Sequence, residues 1–191
     1  QGQIATIIWA PSGKLWDSYD KVNDIRFNSY LIDEPLLTAA NRPSRLVNKY
    51  KGTGYGTANE NVNNAKVFRT AEMMLIRAEA RAEQGKFTGA SSAESDVNAL
   101  RTNRIAGYVN ATFASKDQAI TEVLQERFKE LPFEGHRFWD LKRRGLAVQR
   151  NLADAPAANA TTLSAGNFRF VLPIQMPDIQ ANPLLVQNEG Y

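Results

Sequence analysis

"ERFKELPFEGHRFWDLKRRG", residues Glu126 to Gly145, holds four carboxylates, six Lys or Arg and the only histidine of the chain. Three roles compete for such a stretch: a catalytic acid–base cluster, a nucleic-acid surface, or a structural clasp. Ile120, Val123, Leu124, Phe128 and Leu131 recur at helical spacing. Ser115 and Gln118 form a capping box at the start of that helix, and Pro132 ends it. Arg127 falls between Leu124 and Leu131, inside the apolar stripe. An arginine facing a core has to be paired, because an isolated buried charge is very expensive. Glu122, Glu126 and Glu130 follow at i, i+4 spacing, where like charges repel by a few tenths of a kcal/mol per pair. Their counter-charges must therefore sit on neighbouring elements. The stretch reads as an inter-helix ionic clasp, in which Arg127 and Arg137 are held by Glu130, Glu134 or Asp140, with Glu72 and Glu79 as further candidates. Arg127→Ala is then expected to cost ~3–5 kcal/mol, the range for breaking a buried pair.

The other roles fit less well. A glycosidase pair needs a fixed separation between two carboxylates, and a neighbouring arginine lowers a carboxylate's pKa, the wrong direction for a general acid. One histidine and no cysteine make a poor transition-metal site. A hard-ion site built from Asp, Asn and carbonyls stays open. Lys142, Arg143 and Arg144 sit at a helix end, which favours cations anyway, and a net charge of +3 is modest for a nucleic-acid binder. No cofactor is implied.

Outward from this stretch the chain reads as one domain. Its 191 residues are 43% apolar and 23% charged, ordinary for a globular fold. No apolar run reaches the ~20 residues of a membrane helix. No signal peptide precedes "IATIIWAP", so the chain is expected to be mature or trimmed. With no cysteine, disulfides and thiolate chemistry are excluded. Residues 1–68 are rich in Asn, Gly, Pro and aromatics and are expected to be loop-rich and ligand-facing. Within them Lys49 to Asn64 reads as a long polar loop. Residues 69–145 form a helical core. Ala71, Met74, Leu75, Ala78 and Ala82 mark one face of a first helix, with Gly85 near its C-cap. Ser91 with Glu94 predicts a capping box for a second, striped by Ala93, Val97 and Leu100. Two such helices make a tetratricopeptide-sized hairpin. A short helix from about His136 to Arg144 follows, closed by Gly145. Residues 146–191 are a polar loop, a short strand at "FRFVLPI" and an irregular tail, with Pro177 suited to a first helical turn.

The order of these motifs is similar to that of a known family. "FRTAEMMLIRAEARAEQG", "DVNALRTNR", "ITEVLQERFKELPFEGHRFWDLKRRG" and "VLPIQMPDIQANPLLVQNEGY" together resemble the C-terminal part of SusD/RagB proteins, surface lipoproteins of Bacteroidetes-type outer membranes. "NDIRF" and "NKYKG" are similar to shorter family motifs upstream. One departure is Pro173-Ile174-Gln175, where the family commonly has Pro-Ile-Pro. The resemblance implies a mostly α-helical fold of tetratricopeptide-like helix pairs with long irregular excursions. It implies non-catalytic binding of nutrients, most often glycans, beside a SusC-like TonB-dependent transporter. It also implies an anchor on an N-terminal lipidated cysteine; none appears in this sequence, so the chain is expected to be a C-terminal fragment of a longer protein. Such proteins hold sugars on aromatic platforms with polar groups nearby. The candidates here are Trp16 with Tyr19, then Trp9, Arg26, Tyr50 and Tyr55, with Tyr30, Asp17, Asp20 and Asn28 near them. Trp139, in the clasp helix, is expected in the core. Two readings compete with this one: a helical-repeat scaffold that binds only protein, and a glycan-degrading enzyme.

Overall fold

The structure, a computed structural model, describes residues 10–35, 38, 44–50, 52, 63–64 and 66–191. The chain divides into two compact units, Gln1–Gly135 and His136–Tyr191. The division falls inside the segment read as helical core.

The described part of the first unit runs α1 (Gly13–Trp16), α2 (Ile25–Tyr30), β1 (Leu31–Asp33), β2 (Arg45–Val47), α3 (Thr70–Glu83), α4 (Ala93–Thr102) and α5 (Lys116–Glu130). The fold is mostly helical, as the sequence implies. Helix α3 packs against both α4 and α5. It turns Ala71, Leu75, Ala78 and Ala82 inward against Ala93, Val97 and Leu100 of α4 and Ala119 and Val123 of α5, with Phe113 filling the centre. Ala78, Ala82, Ala93 and Ala119 have no exposed surface. Such small side chains let the helix backbones approach closely, and the close packing holds a pair too short to be stable alone.

The helix starts differ from expectation in detail. Ser92, not Ser91, caps α4: its Oγ accepts the Ser95 N–H at 3.2 Å, and the Ser95 Oγ accepts the Ser92 N–H at 2.9 Å. Ser91 stands at φ +54, whereas an N-cap needs extended backbone. Glu94 is thereby freed to accept the Phe113 N–H at 2.7 Å and the Thr88 hydroxyl at 2.8 Å. At α5, Ser115 accepts from Gln118 N–H, while the Gln118 carboxamide takes the Ala114 N–H, one residue before the cap.

The segment expected to be loop-rich carries its own small core. Leu15, Tyr19 and Leu31 are buried together, with Trp16, Phe27, Tyr30 and Phe128 of α5 packed around them. Strands β1 and β2 pair antiparallel, Leu31 opposite Val47 and Asp33 opposite Arg45. Most of the polar stretch Lys49–Asn64 lies outside the described residues.

The second unit contains α6 (His136–Arg143), the two-residue antiparallel strands β3 (Val148–Gln149) and β4 (Thr162–Leu163), and α7 (Met176–Ala181). Pro177 lies in the first turn of α7, as expected. The expected strand at "FRFVLPI" is corrected: Phe168–Phe170 is a 3-10 turn. The side chain of Asn167 accepts the Arg169 N–H at 3.0 Å and opens that turn, so a local cap overrides the period-2 pattern. The following residues are held by side chains rather than by a strand. Gln187 accepts the Ile174 N–H and donates back to the Ile174 carbonyl, at 2.8 and 2.9 Å. Asn188 donates to the Leu172 carbonyl at 2.7 Å and the Tyr191 hydroxyl to that of Val171 at 2.9 Å. Gly190, at φ +91, lies against the Phe168 ring, where a Cβ would come within 2.5 Å.

Candidate functional site

The charged cluster is assembled on α5. Glu122, Glu126 and Glu130 line one face of that helix, and the last two are fully buried. Arg101 of α4 spans the first two, donating to Glu122 and to Glu126 at 2.7 Å each. Arg26, 1% exposed, donates to Glu126 at 2.5 Å and to Glu130 at 3.1 Å. Its other edge forks onto Asp24 at 2.8 and 2.9 Å. Asp24 is the N-cap of α2 and accepts the Arg26 backbone N–H as well, so the cap aims the carboxylate at the guanidinium. Glu130 also takes Arg104 at 3.0 and 3.1 Å and Arg69 at 2.7 Å. Just beyond α5, Glu134 binds Arg69 at 2.7 Å and Lys49.

Burial alone would raise the pKa of Glu126 and Glu130. The guanidiniums outweigh it, Arg26 and Arg101 at Glu126 and Arg104, Arg26 and Arg69 at Glu130, so both carboxyls lie below the usual carboxylate range. Arg26 stands above its ordinary value despite burial, held by Asp24 and Glu126. Burial pulls Lys49 down to about 8, against the opposing pull of Glu134. These carboxylates are ionised, saturated with donors and turned inward. That arrangement can hold a fold together, and it offers no proton to a substrate. Among the described residues no three His, Asp or Glu side chains are grouped as metal ligands.

The expected site residues fare unevenly. Trp9 and Tyr55 lie outside the described residues. Tyr19 and Arg26, expected to face ligand, are corrected to interior positions. Tyr19 is 5% exposed and its hydroxyl donates to the Lys129 carbonyl at 2.6 Å. Arg26 completes the ionic cluster. Trp16 is partly exposed, its ring edge-on to Phe27 at 4.7 Å with Lys21 at 5.7 Å from the centroid. Asp17 and Lys21 form an exposed pair beside it. Tyr50 is half-buried, and burial together with its hydrogen bond to Glu134 pushes its hydroxyl up to about 12. Asp20 is consumed by its own turn, accepting from Val22 and Asn23.

Within the expected clasp, Arg127 is buried at 6% exposure. The cations that reach Glu126, Glu130 and Glu134 include Arg26, Lys49, Arg69, Arg101 and Arg104. Arg26, expected at the ligand, is one of them; the other four are not among the expected clasp residues, although Arg101 and Arg104 stand in the motif "DVNALRTNR". In the second unit, Asp140 accepts two bonds from Arg143 at 2.8 and 3.1 Å, and burial lowers Arg137 with Asp140 opposing. Trp139, expected in the core, is corrected: it is 60% exposed on α6, edge-on to Phe138 with Lys142 near its face.

Residues 17–191 match the family model described as the SusD family. The chain is 33% identical over 135 residues to a SusD-like protein of Formosa agariphila, covering 67% of this chain and 25% of that protein. It is 34% identical over 128 residues to the starch-binding protein SusD of Bacteroides thetaiotaomicron, covering 65% and 21%. The chain thus spans about a quarter or less of the length of these relatives. A SusD superfamily structure from Bacteroides vulgatus superposes with a TM-score of 0.70 at 29% identity, over 88% of this chain and 36% of that one. Another from Bacteroides thetaiotaomicron gives 0.71 at 26% identity, over 92% and 39%.

Proposed function

The chain belongs to the SusD family, and from that membership we propose that it forms part of a non-catalytic surface receptor for glycans. The receptor sits on the outer face of the outer membrane, attached by an N-terminal lipid anchor. It passes its ligand to a SusC-like TonB-dependent transporter. One curated relative is named for binding starch, which makes α-glucans the first ligand to try.

The observation that carries the reading is the division of labour between charges and rings. Glu126 and Glu130, which a hydrolase would need free, are enclosed by arginines. Trp16 keeps part of its ring at the surface, supported edge-on by Phe27 and flanked by Asp17 and Lys21. A flat ring with a polar rim suits the apolar face of a sugar, and a stiff indole loses little conformational entropy on binding. Affinity electrophoresis of the full-length protein through gels containing starch and other polysaccharides tests this. Retention on at least one is expected, and Trp16→Ala should weaken it about tenfold or more, as when an aromatic anchor is lost. Free migration through every gel, with no co-purifying transporter, would reject the proposal.

A further inference from the structure

Lys49 and Arg69 stand at the two ends of segment 50–68, and their side chains converge on one place. Both donate to the Glu130 carbonyl, at 2.9 Å each, and both reach Oε1 of Glu134. Beyond these shared acceptors their partners differ in kind. Arg69 has a second carboxylate, Glu130, at 2.7 Å, and the Tyr30 hydroxyl at 3.2 Å. Lys49 has the Pro132 carbonyl at 3.2 Å and the Tyr30 ring, 4.1 Å from Nζ to its centroid. The Lys49 side chain is 3% exposed and that of Glu134 is 9% exposed, so water does little to screen one cation from the other.

Two cations on one carbonyl oxygen repel each other unless an anion lies between them. We propose that Glu134 is a shared counter-ion that holds both ends of segment 50–68 at the C-terminal end of α5, and that the Lys49 end alone depends on its charge. Without that charge Arg69 keeps the Glu130 carboxylate. Lys49 keeps only neutral hydrogen-bond acceptors beside a guanidinium, and the Glu130 carboxylate that also attracts it is already paired with Arg26, Arg69 and Arg104. A buried ammonium so placed returns to water, because removing one partner of a buried pair leaves the other uncompensated. Residues 45–50 leave with it. Removing both charges leaves nothing to expel, and an apolar side chain at position 49 can rest on the Tyr30 ring. The inference needs no ligand, so it stands or falls apart from the glycan reading.

Hydrogen exchange measured by mass spectrometry on the full-length protein decides it. Glu134→Gln should speed exchange in the peptide covering 44–50 by about tenfold or more, while the peptide at the start of α3 stays within about threefold. The double variant Lys49→Met/Glu134→Gln should bring the first peptide back to within about threefold of the wild type. Equal loosening at both ends, no loosening, or a double variant as loose as the single one would overturn the proposal. If Glu134→Gln unfolds the whole first unit, the double variant still decides: restored protection supports the proposal and continued unfolding overturns it.

Discussion

Glu130 receives three guanidiniums and has no exposed surface, so its charge matters to the stability of the first unit. Glu130→Ala should cost ~3–5 kcal/mol in a urea titration, because Arg26, Arg69 and Arg104 then share a buried anion fewer. The same groups predict the pH response. Glu126 and Glu130 have folded pKa values below the ordinary 4.5, so their stabilisation is full above that pH and is lost as pH falls through the lower folded values. Lys49 acts in the same direction at higher pH. Its folded pKa of about 8 lies below the ordinary 10.5, so between those values the unfolded chain binds more protons and stability rises with pH. Above about pH 10 the raised hydroxyls of Tyr19, Tyr30 and Tyr50 reverse the trend, since the unfolded chain then loses protons that the fold retains. Urea midpoints across pH 3–11 should therefore climb from acid, gain again from about pH 8, and fall beyond about 10. That Arg26 is internal was not legible in "NDIRF": Asp24 lies beside it there, but Glu126 and Glu130, the carboxylates that draw it into the interior, lie about a hundred residues away on α5. That some cation had to meet Glu126 and Glu130 was legible, from their repeated spacing alone.

At the scale of elements, the helices were the legible part. Ala71, Leu75, Ala78 and Ala82 repeat with the period of α3, and a period is a local property. The Ser91–Ser92 choice was not legible, because two adjacent serines offer the same chemistry and only the backbone at φ +54 separates them. Ser92→Ala should lower stability by about 1 kcal/mol, the usual worth of a cap, while Ser91→Ala should leave it nearly unchanged. Thermal melts of the two variants separate them. In the second unit the side chains of Gln187, Asn188 and Tyr191 bond to the backbone of 171–174, where the sequence suggested a strand. Gly190 permits this by lying on Phe168. Gly190→Ala should cost about 1–3 kcal/mol, from overpacking and a left-handed φ together. Faster exchange of the Ile174 amide would report it.

At the scale of the whole molecule, family membership came from motif order, which survives in a chain spanning a minor part of its relatives' length. The ligand surface was much less legible. Of the six residues expected there, Tyr19 and Arg26 are interior, Trp16 and Tyr50 keep partial exposure, and Trp9 and Tyr55 lie outside the described residues. Aromatic composition cannot tell a platform from a core ring, because either use exploits the same flat apolar area. Trp139 makes the point from the other side, exposed on a helix whose charges suggested burial. On the proposed function, the glutamates buried among arginines serve the fold and the surface rings serve the ligand, and a glycan is held without being cut. Isothermal titration calorimetry of the full-length protein with starch oligosaccharides tests this most directly. A saturable binding heat that returns to baseline and shrinks in Trp16→Ala is the predicted result. A continuing heat of hydrolysis that disappears in Glu130→Gln would contradict it.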